Sequence, residues 1–227
     1  MRNHGLKVLG LALLSALGMM AFTAIGAQAQ TLPGASTPGT FLVNLGTPSG
    51  NAIVGTQLGS GYLLVAARDL KIECGSGKLD SGIINNSTDA KATVTFSECV
   101  ANNHEGKPLA GCEFKELKTV KASALALPIL HGGERFVLFE PLEGTEFTKV
   151  SFKPGVGCIL PLNNPVTGSV VAKVEGELEG TVQTLVFSEA IQLLSGDVLK
   201  YGALSNTSYV NATADVEVSG GGKLGVH

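Results

Sequence analysis

Apolar and polar residues alternate most regularly near the C-terminus, where Ala212, Ala214, Val216 and Val218 are interleaved with Thr213, Asp215, Glu217 and Ser219. A period of two turns successive side chains to opposite faces, so this stretch predicts a strand with one dry and one wet face. The same pattern runs through Leu70, Ile72 and Cys74 against Lys71 and Glu73, and through Ala92, Val94 and Phe96 against Thr93, Thr95 and Ser97. Short apolar runs bounded by Gly and Pro add strands at 134–140, 147–152, 166–174 and 181–187. Residues 113–127 read equally as a helix or as strand alternation through Val120, Ala122, Ala124 and Ala126, and 188–194 is the other helical candidate. Many short strands between Gly and Pro turns, with little helix, predict an all-β antiparallel β-sandwich, jelly-roll-like in type. A β-solenoid is the alternative, but the chain shows no fixed repeat of about 20 to 50 residues.

The N-terminus has a different character. Arg2 and Lys7 precede an uncharged apolar run over 9–25, and Ala27 and Ala29 flank Gln28. A basic start, an apolar stretch and an Ala-x-Ala end predict a secretory signal peptide over 1–29, cut after Ala29. An uncleaved anchor is the alternative, its apolar run falling just short of the roughly 18 residues of a spanning helix. No cysteine sits near the cut to carry a lipid, and 220–227 holds no apolar anchor. The mature chain is therefore expected to be secreted, periplasmic or at the cell surface, with no transmembrane segment. Residues 30–61, rich in Gly, Pro, Ser and Thr, read as a loose lead-in with one or two short strands. The β domain is assigned to 62–219 and a flexible glycine-rich end to 220–227.

Composition narrows the partners. Cleavage leaves 198 of the 227 residues, ample for a core. Of 16 Lys and Arg, two lie in the leader, and against 19 Asp and Glu the mature chain carries a net charge of −5. Only Arg68 and Arg135 remain as arginines, whereas a nucleic-acid partner calls for a basic face. Trp is absent and the mature aromatics are Phe plus Tyr62, Tyr201 and Tyr209. That is too few for the girdles of a membrane barrel, and poor provision for stacking on sugars.

The four cysteines, Cys74, Cys99, Cys112 and Cys158, predict two disulfides in an exported chain, with three connectivities open. The favoured pairing is Cys99 with Cys112 and Cys74 with Cys158. No C-x-x-C spacing suggests zinc or redox exchange. No G-x-S-x-G elbow or zinc-protease spacing accompanies His104, His131 or His227, which read as loop or terminal residues. No catalytic, cofactor or metal site is expected. Glu175, Glu177 and Glu179 recur at every second position; on a strand they would share a face suited to calcium or to a carboxylate pair. Gly176 and Gly180 fit a turn just as well, where the charges would protect an edge. Glu140, Glu143 and Glu146, around Pro141 and Gly144, read as loop charges.

The run Thr93, Val94, Thr95, Phe96, Ser97, Glu98, Cys99, the nearby Cys112, Cys158 after a Phe-rich strand, and Val198 to Gly202 form an order of features. In this order the chain resembles a broad group of bacterial secreted, disulfide-containing all-β proteins of uncharacterised function. A weaker resemblance is to fimbrial subunits, although the aromatic-rich last strand of that family is missing. The first resemblance implies an all-β export product and no active site. The expected role is structural or adhesive and non-enzymatic, possible partners being a further copy of the chain or an envelope polymer. The rival is a carbohydrate-binding or carbohydrate-active domain using Glu175 to Glu179.

Overall fold

The computed structural model describes residues 36–116, 120–153, 155 and 157–227; the predicted signal, 1–29, lies outside them. The described chain opens with β1 (Ser36–Pro38) and β2 (Phe41–Val43). β3 (Asn51–Gln57) and β4 (Gly61–Val65) lead into β5 (Leu70–Ile84), β6 (Ala90–Asn102), β7 (Val120–His131) and β8 (Glu134–Pro141). Then come β9 (Glu146–Ser151), β10 (Asn163–Gly168), β11 (Val170–Glu175), β12 (Glu179–Gly180) and β13 (Val182–Phe187). A short helix, α1 (Glu189–Ser195), precedes β14 (Leu199–Tyr201), β15 (Asn206–Val218) and β16 (Leu224–Val226). The all-β antiparallel class is as the alternation implies. Among the described residues no helix is long and apolar enough to cross a membrane.

The main sheet closes on itself. Its order is β13-β11-β8-β7-β6-β5-β3-β15, and β15 pairs back onto β13 through Val182↔Glu217 to Phe187↔Ala212. The sandwich layers are thus joined along both margins into an eight-stave barrel, and the order is a meander of sequence neighbours rather than the crossed connections of a jelly roll. β3 and β4 form one stave, both antiparallel to β15 on one side and to β5 on the other. β8 with β9, β11 with β10, and β13 with β14 extend their staves in the same way. Gly168, at φ 96°, makes the bend between β10 and β11, where a Cβ would lie 2.5 Å from the Val198 carbonyl oxygen. Closure removes the open edges that a flat sheet would present.

Ser188 caps α1, its hydroxyl accepting from the Ile191 amide at 3.3 Å, and Gly196 ends it in the left-handed region. The helix fills the break between β13 and β14. The fully buried Gln192 takes the place of a strand there: its Nε2 donates to the Val210 carbonyl at 2.6 Å and its Oε1 accepts the Val210 amide at 3.0 Å. Helix α1 also covers the outer face of the barrel, where Ile191 packs on Ile129, Phe136, Leu138 and Val171. The unbroken run 136–139 follows from this, since one face of β8 lies under the helix and the other points inward.

Both ends of the barrel are plugged. At one end Val65, Leu70, Ile72, Phe114, Phe152, Leu160 and Tyr201 form a packed cluster, with the Phe114 and Phe152 ring centres 5.0 Å apart. The disulfides belong to this end, and their pairing corrects the favoured one: Cys74 joins Cys99, and Cys112 joins Cys158. Cys74 and Cys99 are direct cross-strand partners on β5 and β6, which leaves Cys112 and Cys158 to tie the loops beyond.

At the opposite end β12, β16 and β2 form a three-stranded cover, whose Phe41, Val43, Leu224 and Val226 pack on Ile84, Ala90, Val174 and Val218. The expected flexible tail is therefore corrected. Residues 224–226 are a buried strand because the barrel mouth supplies an apolar seat, and His227 exchanges backbone hydrogen bonds with Thr40. The lead-in boundary moves as well. β3, inside the region assigned as loose, is half a barrel stave, held by β15 and β5.

Candidate functional site

Between the two plugs the barrel is hollow. The lumen is a cavity of about 300 Å³. Its girth is lined by small residues at facing positions. Ala92 opposes Ala124, Val94 opposes Ala122, Ala212 lies against Gly61 on β4, and Ala214, Gly55 and Gly77 line the same space. Larger side chains, among them Phe96, Phe139, Leu185 and Phe187, project in toward the ends. Burial shows the width directly. Ala92 to Phe96 and Ala212 to Val216 are partly exposed at every position, because the outward side chains meet solvent and the inward ones meet open space. The expected strand at 212–218 is present, with its alanines and valines inward as the alternation requires.

Polar lining is sparse. Gln57 donates from Nε2 to the Gly59 carbonyl at 2.7 Å and to the Cys74 carbonyl at 3.1 Å, and its buried Oε1 has no partner. Gln183 spends its Nε2 on the carbonyls of Leu224 at 2.7 Å and Glu177 at 2.9 Å, which anchors the end cover. The lumen can therefore shelter apolar matter and offers it few oriented hydrogen bonds.

On one flank β7 and β9 run side by side along a seam, where the Ser123 carbonyl accepts the Leu142 amide at 3.3 Å and the Ser151 carbonyl accepts the Lys115 amide at 2.8 Å. Outside this seam lies a crevice of about 360 Å³ lined by Glu116, Lys121, Glu146, Lys149 and Ser151. Val120 and Thr148 line both the crevice and the lumen.

The acidic candidates lie elsewhere. Glu175 ends β11, Gly176 at φ 113° starts a turn, Glu177 lies in that turn and Glu179 begins β12, so the three do not share a strand face. The turn is organised by its carbonyls: Arg135 donates to Gly176 at 2.7 Å, to Glu177 at 3.0 Å and to Leu178 at 3.3 Å. Glu179 faces the His227 ring at 3.3 Å. His104 sits in an exposed turn, where its Nδ1 pairs with Asp69, and His131 ends β7 at the hairpin into β8. No group of three or more metal-ligating residues occurs among the described residues.

No family model, no curated protein and no solved structure matches the chain. The site itself carries the functional reading.

One titratable pair lies outside the lumen and bears on stability. Asp197, buried after α1, accepts the Ser169 hydroxyl at 2.8 Å, while its Oδ2 has no partner. Burial pushes its carboxyl above the usual range, and burial with the Asp197 charge does the same to Glu140. An acid easier to protonate in the folded chain stabilises the fold below its ordinary value near pH 4, and that contribution is lost as pH rises through the raised one. Asp197→Asn is expected to flatten the decline of the denaturant midpoint as pH rises above about 4. A midpoint series against pH checks this, and a variant curve parallel to that of the parent would refute the assignment.

Proposed function

We propose that the chain is an exported binding protein whose barrel lumen holds one apolar small molecule, or the apolar part of a larger one. The observation that carries this is the apolar cavity of about 300 Å³, whose lining includes seven alanines and three glycines. An eight-stranded barrel has an interior just wide enough either to be filled by side chains or to hold one small ligand. Filling needs Val, Leu or Ile at all the inward positions, and here seven alanines and three glycines interrupt the larger apolar lining. Left empty, such a volume costs on the order of 7 kcal/mol at about 24 cal/mol per Å³, comparable to the net stability of a domain. Alanine is also a poor strand former, so strand propensity does not explain its recurrence at inward sites.

Export is part of the proposal and rests on the leader pattern at 1–29 and on the two disulfides. A structural or adhesive role is the second reading. The cross-linked frame supports it, but such a role gains nothing from a hollow interior. The carbohydrate reading built on Glu175, Glu177 and Glu179 draws no support from their placement around a turn.

Titration of the purified mature chain with N-phenyl-1-naphthylamine, an uncharged dye that fluoresces in dry apolar surroundings, tests the proposal. Saturable one-to-one binding with Kd of about 1 μM or tighter is expected. Absence of any emission increase would return the structural reading to first place.

A further inference from the structure

The lumen has the proportions of a tube, and we infer that its ligand is a single unbranched hydrocarbon chain, bound extended along the barrel axis. This rests on the lumen being a ligand site and names the class of molecule that the site takes. β6 and β7 show the length. Four successive cross-strand pairs line the lumen along them, from Ala90 with Ala126 near the cover to Phe96 with Val120 near the disulfides. On β15 four inward positions of the same spacing, from Val210 to Val216, do the same. Each of these spans is six residues of strand from first to last. At about 3.4 Å per residue, with the roughly 40° tilt of barrel strands, that is about 15 Å of axis. A volume of about 300 Å³ over such a length leaves a mean cross-section of about 20 Å². One polymethylene chain has that section, whereas two chains side by side or a fused-ring skeleton are far wider.

The wall and the ends agree with the shape. Gln57 and Gln183 are amides on the lining, and each spends its Nε2 on backbone carbonyls. A chain of methylenes asks for no oriented partner and gains from apolar contact along its whole length. Phe41, Leu224 and Val226 close the lumen at the cover, and Phe96 and Phe147 narrow it toward the disulfides. Both ends being stopped, the lumen sets an upper limit on the length of chain it holds.

The test measures displacement of N-phenyl-1-naphthylamine from the mature chain by 1-octanol, 1-decanol, 1-dodecanol and 1-tetradecanol, each below its solubility limit. In the parent each added methylene is expected to tighten binding about fourfold as far as 1-dodecanol. The further methylenes of 1-tetradecanol should add nothing, and the hydroxyl common to the series cancels in these ratios. Cyclododecanol closes the carbons of 1-dodecanol into a ring. It should displace the dye about tenfold less well than 1-dodecanol once both are corrected for their transfer from water to hexadecane. Ala122→Leu places an isobutyl group in the tube opposite Val94, so the gain should stop at 1-decanol, while displacement of the dye by 1-octanol shows the variant to be folded. The parent series decides by itself should that variant not fold. A gain that continues through 1-tetradecanol, an unchanged breakpoint in the folded variant, or equal corrected potency of cyclododecanol overturns the chain assignment while the lumen reading stands. Failure of the dye to bind the parent removes both.

Discussion

Replacing Cys112 and Cys158 together by serine is expected to lower the unfolding free energy by about 4 kcal/mol, a large share of what holds a domain of this size together. The bond closes a separation of 46 residues, and the cost is the chain entropy that the unfolded state regains when it is cut. The Cys74–Cys99 bond closes 25 residues and is worth about 3.5 kcal/mol by the same reasoning. Total loss does not separate the two, but its location does. Cys74 and Cys99 sit within a hairpin whose register continues on both sides, so its amides stay protected after Cys74→Ala/Cys99→Ala. Among the described residues, Cys112 and Cys158 tie two loops whose backbone pairing is the bonds of Cys112 with Leu109, Lys115 with Ser151, Phe152 with Leu162 and Lys153 with Glu113. Hydrogen exchange at 113–116, 151–153 and 157–160 should therefore speed up only in the serine pair, alongside a lowered denaturant midpoint. An unchanged midpoint, or faster exchange along β5 and β6 instead, would contradict this account of the plug.

The pairing of Cys74 with Cys99 depends on an irregularity in the β5–β6 hairpin. Near the hairpin tip Ile84 faces Ala90 and Ser81 faces Thr93, and continuing that register would set Cys74 opposite Val100. An irregularity between Leu79 and Ser81 moves the register by one residue and sets Cys74 opposite Cys99. A bulge of this kind has no reliable signature in spacing alone. The strands themselves were legible, because period two survives wherever one face is wet, as it does along β15. The helical candidate at 188–194 was legible as well and corresponds to α1, whose cap Ser188 is a local signal that the reading did not use. Residues 224–226 were not, because two apolar residues around Gly225 carry no pattern, and their burial depends on the barrel mouth they cover.

The lumen was hidden for a related reason. An inward alanine on one strand is consistent with two sheets packed close together and equally with a wide interior, and the choice between them is made by ring closure, a property of all eight staves. The signal that could have raised the question is the coincidence of small residues on separate strands: Ala92, Ala122 with Ala124, and Ala212 with Ala214. In a packed sandwich, small residues on one layer are offset by large ones on the other. Here several strands are small at once, and no counterpart fills the space.

Filling that space is expected to abolish binding without harming the fold. Ala92 and Ala124 are cross-strand partners that both face the lumen, so Ala92→Leu/Ala124→Leu places two isobutyl groups in the middle of the cavity. At a packed position extra methylenes cost about 1 to 3 kcal/mol, because neighbours must leave their preferred rotamers. Val171→Leu supplies that comparison, since Val171 is fully buried between Leu138 and α1 and has no room beside it. In the lumen the added carbon meets open space, and each leucine removed from water contributes up to about 1.5 to 3 kcal/mol. The double variant should therefore hold or raise the denaturant midpoint while Val171→Leu lowers it, and its Kd for N-phenyl-1-naphthylamine should rise by about a hundredfold. The opposite signs of the two stability changes are the decisive feature, because a general intolerance of larger side chains would move both the same way. Destabilisation of the double variant to the extent seen for Val171→Leu would mean that the alanines are already in contact across the barrel, and retained dye affinity would place the binding site outside the lumen.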